Sequence, residues 1–175
     1  MIQKLGNKIA LIFIGISILV TITGLIIGFV TTDDSNSGLI ITIGLGIGQL
    51  SGLIMLIRNG TIMKTVFWKI IACFMGLLII GVIFKIQHWA GANMLISTSS
   101  VGIIITYSVR FLTKEKRAFF DFLKFICVIT AYTGIILVFL HLITRDLMRI
   151  AHCLLWITII YFIVNGYIKR TLFEN

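Results

Sequence analysis

The chain has 175 residues, of which 59% have apolar side chains and 12% are charged, and its mean hydropathy is +1.12. Soluble domains contain roughly 45–50% apolar residues, glycine included, and about 25% charged residues. This chain has too few charged side chains to cover a water-exposed surface, which excludes a soluble globule as well as a disordered, collagen-like or disulfide-rich chain. It also lacks the alternation of apolar and polar residues typical of barrel strands. The sequence therefore predicts an all-α, polytopic membrane protein.

Six apolar runs are long enough to cross a bilayer. A hydrocarbon core about 30 Å thick is spanned by roughly 20 helical residues, so runs of that length can be counted directly. The predicted spans are Ile9–Val30, Gly38–Ile57, Val66–Ile86, Ala92–Leu112, Phe122–Ile143 and Met148–Ile168. The first run lacks the small-residue cleavage site of a secretory signal peptide, and we expect it to be retained as a helix.

No Pro-rich linker or change of composition divides the chain, so we expect a single integral membrane domain over residues 1–175. Gly24, Gly76 and Gly134 lie in similar short apolar segments, with spacings of 52 and 58 residues. This pattern fits three copies of a two-helix hairpin in the same orientation.

Glycines recur on one face of the second predicted span. Gly44, Gly48 and Gly52 are each four residues apart, which places them on one side of a helix. Small residues at this spacing allow a second helix to approach closely in a membrane, and we expect these three glycines to serve helix packing.

Basic residues are distributed unequally between the two ends of the predicted spans. Twelve lie at one end: Lys4, Lys8, Arg58, Lys64, Lys69, Arg110, Lys114, Lys116, Arg117, Lys124, Lys169 and Arg170. Three lie at the other: Lys85, Arg145 and Arg149. Lys and Arg accumulate on the cytoplasmic side, so both termini are expected in the cytoplasm. This topology and attraction to anionic lipid headgroups account for the net charge of +9, and nucleic acid is not an expected partner.

Polar and aromatic residues cluster between the third and fourth predicted spans. Helical spacing would place Lys85, His88 and Trp89 on one face, with Gly91 permitting the turn and Asn93 capping the next helix. In one interpretation this segment is an interfacial anchor, whose lysine extends to water over the indole ring. In the other, Lys85 faces the helix bundle and pairs with His88 or with a partner's carboxylate during ion or force transmission.

The same segment resembles a signature of a known family. It reads Phe84-Lys85-Ile86-Gln87-His88-Trp89-Ala90-Gly91-Ala92, and it is similar to the F-K-x-x-H-W-x-G-A signature of the gliding-motility GldL family of Bacteroidetes. Members of that family form the membrane stator of a proton-driven motor with GldM, and their signature also ends one transmembrane helix and leads into the next. The resemblance covers one hairpin, about residues 66–112.

The resemblance implies that Lys85 and His88 correspond to the family's intramembrane polar network, and that the chain lies in a bacterial inner membrane. The family's second helix carries a membrane glutamate, whereas no Asp or Glu lies between Asn93 and Leu112 here. Four further spans stand in place of the family's soluble tail.

The remaining polar residues do not form a pattern typical of catalysis. Cys73, Cys127 and Cys153 lie in apolar runs without metal-ligand spacing, so we interpret them as small buried hydrophobic residues. His141 and His152 are eleven residues apart without an acidic helper, which is a poor metal site. The sequence has no nucleophile with a base, no clustered carboxylates and no metal motif, so neither an enzyme nor a cofactor is expected.

The sequence thus predicts a non-enzymatic scaffold or accessory subunit. Its expected partners are the lipid bilayer and other membrane proteins or a second copy of the chain. The alternative is a small ion- or solute-conducting protein that uses Lys85 and the polar faces of the second and fourth spans, including residues 97–100.

Overall fold

The computed structural model describes residues 2–31, 34–115, 117–142 and 146–168. Within these ranges the chain forms six long helices and no strand: α1 (Ile2–Thr31), α2 (Asp34–Arg58), α3 (Val66–Ile86), α4 (Ala92–Leu112), α5 (Phe119–Phe139) and α6 (Asp146–Ile168). Each helix contains a segment of 21 to 26 residues that is long and apolar enough to cross a membrane. The predicted all-α class and its six spans are therefore confirmed within the described ranges. Four basic residues used in the orientation prediction lie outside the described ranges: Lys116, Arg145, Lys169 and Arg170.

The predicted span bounds agree with the structure at α3 and α4 and differ elsewhere. α1 and α2 begin seven and four residues before the apolar runs predicted at Ile9 and Gly38, because polar residues continue each helix. The fifth predicted span, Phe122–Ile143, is wrong at both ends, since α5 runs over Phe119–Phe139. It ends early because the backbone turns at His141, whose φ is 57°. The last predicted residue of that span lies outside the described ranges.

The chain divides into two compact units. The first comprises Met1–Gly60 and Ile159–Asn175, and the second comprises Thr61–Thr158. α6 therefore contributes residues to both. The expected single domain over residues 1–175 stays a prediction.

In the first unit, α1 and α2 pack along each other at the glycine face of α2. Gly44, Gly48 and Gly52 are all buried. A Cβ atom on Gly44 would lie 2.9 Å from the backbone nitrogen of Thr21, and one on Gly52 would overlap the side chain of Ile159 in α6. At Gly44 the two backbones thus approach too closely for a side chain.

A reciprocal amide pair joins the start of α1 to the end of α2. Asn7 Nδ2 donates to Asn59 Oδ1 at 3.2 Å, and Asn59 Nδ2 donates back to Asn7 Oδ1 at 2.8 Å. Asn7 is only 3% exposed, so this pair satisfies amide groups that would be costly to bury alone.

In the second unit, α4 packs against both α3 and α5. Ile96, Ser99 and Ser100 of α4 are fully buried, which makes this helix the centre of the unit. The connections at residues 87–91 and 113–118 are short, so consecutive helices run antiparallel. The C-terminal ends of α3 and α5 consequently lie at the same end of the unit.

α3 and α5 are equivalent helices. Each is 21 residues long, and α5 begins 53 residues after α3. A Cβ atom on Gly81 would lie 3.1 Å from the backbone nitrogen of Ile96, and one on Gly134 would lie 3.0 Å from the Met148 sulfur. Gly81 and Gly134 are therefore the matching positions. The predicted repeat used Gly76 instead, where an added Cβ atom would meet no neighbouring helix within 4 Å.

The close approach of α1 and α2 at Gly44 predicts different effects for two alanine substitutions in α2. Gly44→Ala should lower the free energy of unfolding by about 1–3 kcal/mol, because the added methyl group meets the Thr21 backbone. Gly46→Ala should leave it unchanged or raise it by up to about 1 kcal/mol, since Gly46 has open space and alanine favours helix. Thermal unfolding of the two purified variants in detergent measures the difference in stability. Equal stability of the two variants would contradict the close approach of α1 and α2 at Gly44.

Candidate functional site

The polar segment singled out in the sequence forms the end of α3 and the turn into α4. His88 N–H donates to the Lys85 carbonyl at 3.2 Å, and Trp89 N–H donates to the Phe84 carbonyl at 2.9 Å. These two bonds form a Schellman turn, which satisfies carbonyls left over at a helix end and requires one residue in the left-handed conformation. His88 is that residue, with a φ of 56°.

Lys85 connects the end of α3 to the first turn of α4. Lys85 is partly exposed, and its ammonium donates to Asn93 Oδ1 at 2.8 Å. Trp89 is 57% exposed and packs edge-on against Phe84, with ring centroids 4.9 Å apart. The structure thus pairs Lys85 with Asn93, whereas the two interpretations of the sequence paired it with the indole ring, or with His88 or a partner's carboxylate.

The five predicted residues lie together, although not as expected. α3 ends before His88, so Lys85, His88 and Trp89 do not share a helical face. They line one open recess together with Gly91 and Asn93. Gly91 makes the predicted turn, with a φ of 84°. The prediction that Asn93 caps α4 is wrong, because the N-cap residue of α4 is Gly91. The Asn93 side-chain oxygen instead accepts the hydrogen bond from Lys85.

A second turn of the same kind follows α5, although it was not among the features predicted from the sequence. His141 N–H donates to the Val138 carbonyl at 3.1 Å, and Leu142 N–H donates to the Leu137 carbonyl at 2.9 Å. His141 has a φ of 57°, like its equivalent in the first turn. The available signal was a glycine followed seven residues later by a histidine, which occurs at Gly81 and again at Gly134.

Comparison of the chain with protein-family models, with curated proteins and with solved structures found no match. The two turns provide an internal comparison instead. With the histidines superposed, Val138 stands at the position of Lys85 and Leu142 at that of Trp89. Because the second turn forms with these apolar residues, neither the lysine nor the tryptophan is needed to build it.

Three hydroxyl groups of α4 are hydrogen-bonded within the helix. Ser99, Thr106 and Ser108 donate to the carbonyls of Ile96, Gly102 and Ile104, at 2.7–3.0 Å. Such bonds remove the need for water around a hydroxyl group. Ser100 differs, since its Oγ is buried and has no hydrogen-bond partner among the described residues.

The cysteines and the remaining histidines do not gather. Cys127 is buried as expected, but Cys73 and Cys153 are exposed, because they lie on outward-facing sides of α3 and α6. His141 and His152 are both exposed. Among the residues that the structure describes, no group of three or more His, Cys, Asp or Glu side chains could hold a metal ion.

The left-handed backbone at the two turn histidines predicts that glycine is preferred there. His88→Gly and His141→Gly should each raise the free energy of unfolding by about 0.5–1 kcal/mol, because glycine adopts this conformation without strain. His152→Gly is the matched control; it lies inside α6 and should lower stability by about 1 kcal/mol. Thermal unfolding in detergent compares the three. A loss of stability in His88→Gly as large as the control's would show that the histidine side chain itself supports the turn.

Proposed function

We propose that this chain is a non-enzymatic scaffold or accessory subunit of a bacterial inner membrane, with both termini in the cytoplasm, and that it holds a partner membrane protein at the recess between α3 and α4. The observation that carries this proposal is the Lys85–Asn93 bond. It lies in a turn that the chain builds a second time without the lysine. Since the turn does not require this polar pair, Lys85 and Asn93 are available to bind a partner.

The charge of Lys85 favours a partner that carries a carboxylate. Its ammonium has three N–H donors, and its described side-chain partner is a neutral amide. Among the described side chains the one ion pair is Lys114–Asp121, so Lys85 has no carboxylate there. An opposite charge beside Lys85 would be favourable, because this lysine is only partly exposed and lies at the end of a membrane span. A carboxylate from a second protein would supply that charge.

The rim of the recess suits a protein contact. Trp89 is 57% exposed and Met94 is 76% exposed, and both line the recess with Lys85. Aromatic residues and methionine are enriched at protein interfaces, and tryptophan often contributes a large share of the binding energy.

The resemblance of residues 84–92 to the GldL signature agrees with a hairpin that works beside a second membrane protein. It does not extend to proton coupling, because α4 has no acidic residue to match the family's glutamate. We therefore propose an accessory role related to such a hairpin, without motor activity of its own.

Conduction of an ion or small solute is the second candidate, and Ser100 favours it. A buried hydroxyl group without a partner is unusual, and a water or an ion passing along α4 would satisfy it. The internal bonds of Ser99, Thr106 and Ser108 weigh against a continuous polar path.

Lys85→Gln tests the proposal. The variant should accumulate and unfold like the wild type, because the equivalent position in α5 is Val138. Crosslinking in native membranes, quantified for a stoichiometric partner band, should fall by about tenfold or more, which corresponds to loss of one charged hydrogen bond. Lys69→Gln is the matched control, since it removes an exposed lysine of α3 outside the recess and should leave the band unchanged.

Two results would contradict the scaffold proposal. One is crosslinking of the recess residues to lipid alone, in both the wild type and the Lys69→Gln control. The other is ion flux in proteoliposomes that Lys85→Gln abolishes, which would favour conduction instead.

A further inference from the structure

A second group of cations lies at the opposite end of α4, where that helix ends and α5 begins. Lys114 forms an ion pair with Asp121 at 2.6 Å. The same Asp121 oxygen accepts a hydrogen bond from the Ala118 N–H at 2.9 Å, at the start of α5. The charge of Lys114 is thus balanced within the turn.

Arg117 and Lys124 lie on aromatic rings. The guanidinium carbon of Arg117 is 5.2 Å from the centroid of Phe111, and the Arg117 side chain also donates to the Leu112 carbonyl at 2.8 Å. The Lys124 ammonium is 3.9 Å from the centroid of Phe120. Neither cation has a carboxylate within ion-pair distance among the described side chains. The rings fix the positions of both cations, and Asp121 attracts Lys124 only from beyond ion-pair distance.

Exposed apolar side chains lie in the same stretch of chain as these two cations. Phe111 stacks on Phe125 with centroids 4.4 Å apart and rings 8° from parallel. Phe119 and Phe122, in the first turn of α5, are 64% and 49% exposed. These cations and rings lie at the end of two membrane-length helices. The positive charges suit a phosphate, and the exposed rings suit acyl chains, so the group matches an anionic lipid.

The comparison with α3 shows that this arrangement is not needed for the fold. The position equivalent to Lys124 in α3 is Ile71, which is only 8% exposed. The position equivalent to Asp121 is Trp68. A helix of the same length therefore starts and packs with apolar residues at these places.

We propose that Arg117 and Lys124 bind the headgroup phosphates of anionic phospholipid, whose acyl chains lie against Phe119 and Phe122. Arginine donates to phosphate oxygens in a forked geometry, and basic residues at the ends of membrane helices are attracted to anionic lipid. This site is independent of the recess at Lys85.

Lipid titration of the purified full chain in detergent tests the site, with the shift of the thermal unfolding midpoint giving an apparent affinity. Phosphatidylglycerol should raise the midpoint of the wild type, and phosphatidylcholine with the same acyl chains should not. Arg117→Gln and Lys124→Gln should each weaken phosphatidylglycerol binding by about tenfold or more, the factor expected for loss of one charged hydrogen bond to phosphate. Lys124→Arg keeps the charge and should bind at least as tightly as the wild type, because arginine also stacks on aromatic rings and donates two hydrogen bonds to phosphate.

Lys69→Gln is the control for diffuse attraction, because it removes an exposed lysine of α3 that has no place in the proposed site. It should weaken binding clearly less than the other two variants do, by no more than about the fivefold expected for one basic group near an anionic surface. Equal losses in Lys69→Gln, Arg117→Gln and Lys124→Gln would overturn the site in favour of general surface charge. An equal midpoint shift with inorganic phosphate would also overturn the assignment to lipid. Arg117 lies in the connecting turn, so its variant remains informative even where Lys124→Gln fails to fold.

Discussion

Satisfying the backbone in an apolar environment is the constraint on which the rest of this structure depends. A helix bonds its own N–H and C=O groups along its length and leaves them unpaired only at its ends. Hydroxyl groups within the helices follow the same rule, since Thr21, Thr106 and Thr158 donate to carbonyls four residues earlier. Polar groups that can still meet a ligand or a partner are therefore concentrated near helix ends, which is where Lys85 and Lys124 lie.

The equivalence of α3 and α5 separates what the fold requires from what it does not. Each helix is followed by a turn with a histidine in the left-handed conformation, and each carries a buried glycine seven residues before that histidine. Those shared features belong to the architecture. Lys85 corresponds to Val138, and Lys124 corresponds to Ile71, so each lysine stands where the other helix has an apolar residue. Positions at which the two helices differ are better candidates for function than positions at which they are the same.

Hydropathy alone predicted six spans and located α3 and α4, because polar residues interrupt the apolar runs at both ends of these helices. It misplaced the end of α5, since the apolar run continues through Leu140 and Leu142 while the backbone turns at His141. The choice between Gly76 and Gly81 depends on which face of α3 meets α4, and two glycines in similar apolar surroundings do not reveal that. The Lys85–Asn93 bond was missed for a related reason: it joins two helices across a turn, whereas helical spacing relates residues within one helix.

The two cation groups of the second unit differ in what surrounds them, and this difference favours different partners. Lys85 is held by the neutral amide of Asn93 beside an open recess, where a carboxylate from another protein would gain most. Arg117 and Lys124 lie on aromatic rings, an arrangement suited to a phosphate with acyl chains beside it. On these proposals lipid bound at one end of α4 would fix the depth of the helix in the bilayer. The recess at the other end would then be presented to its partner at a constant height, which is what a scaffold requires.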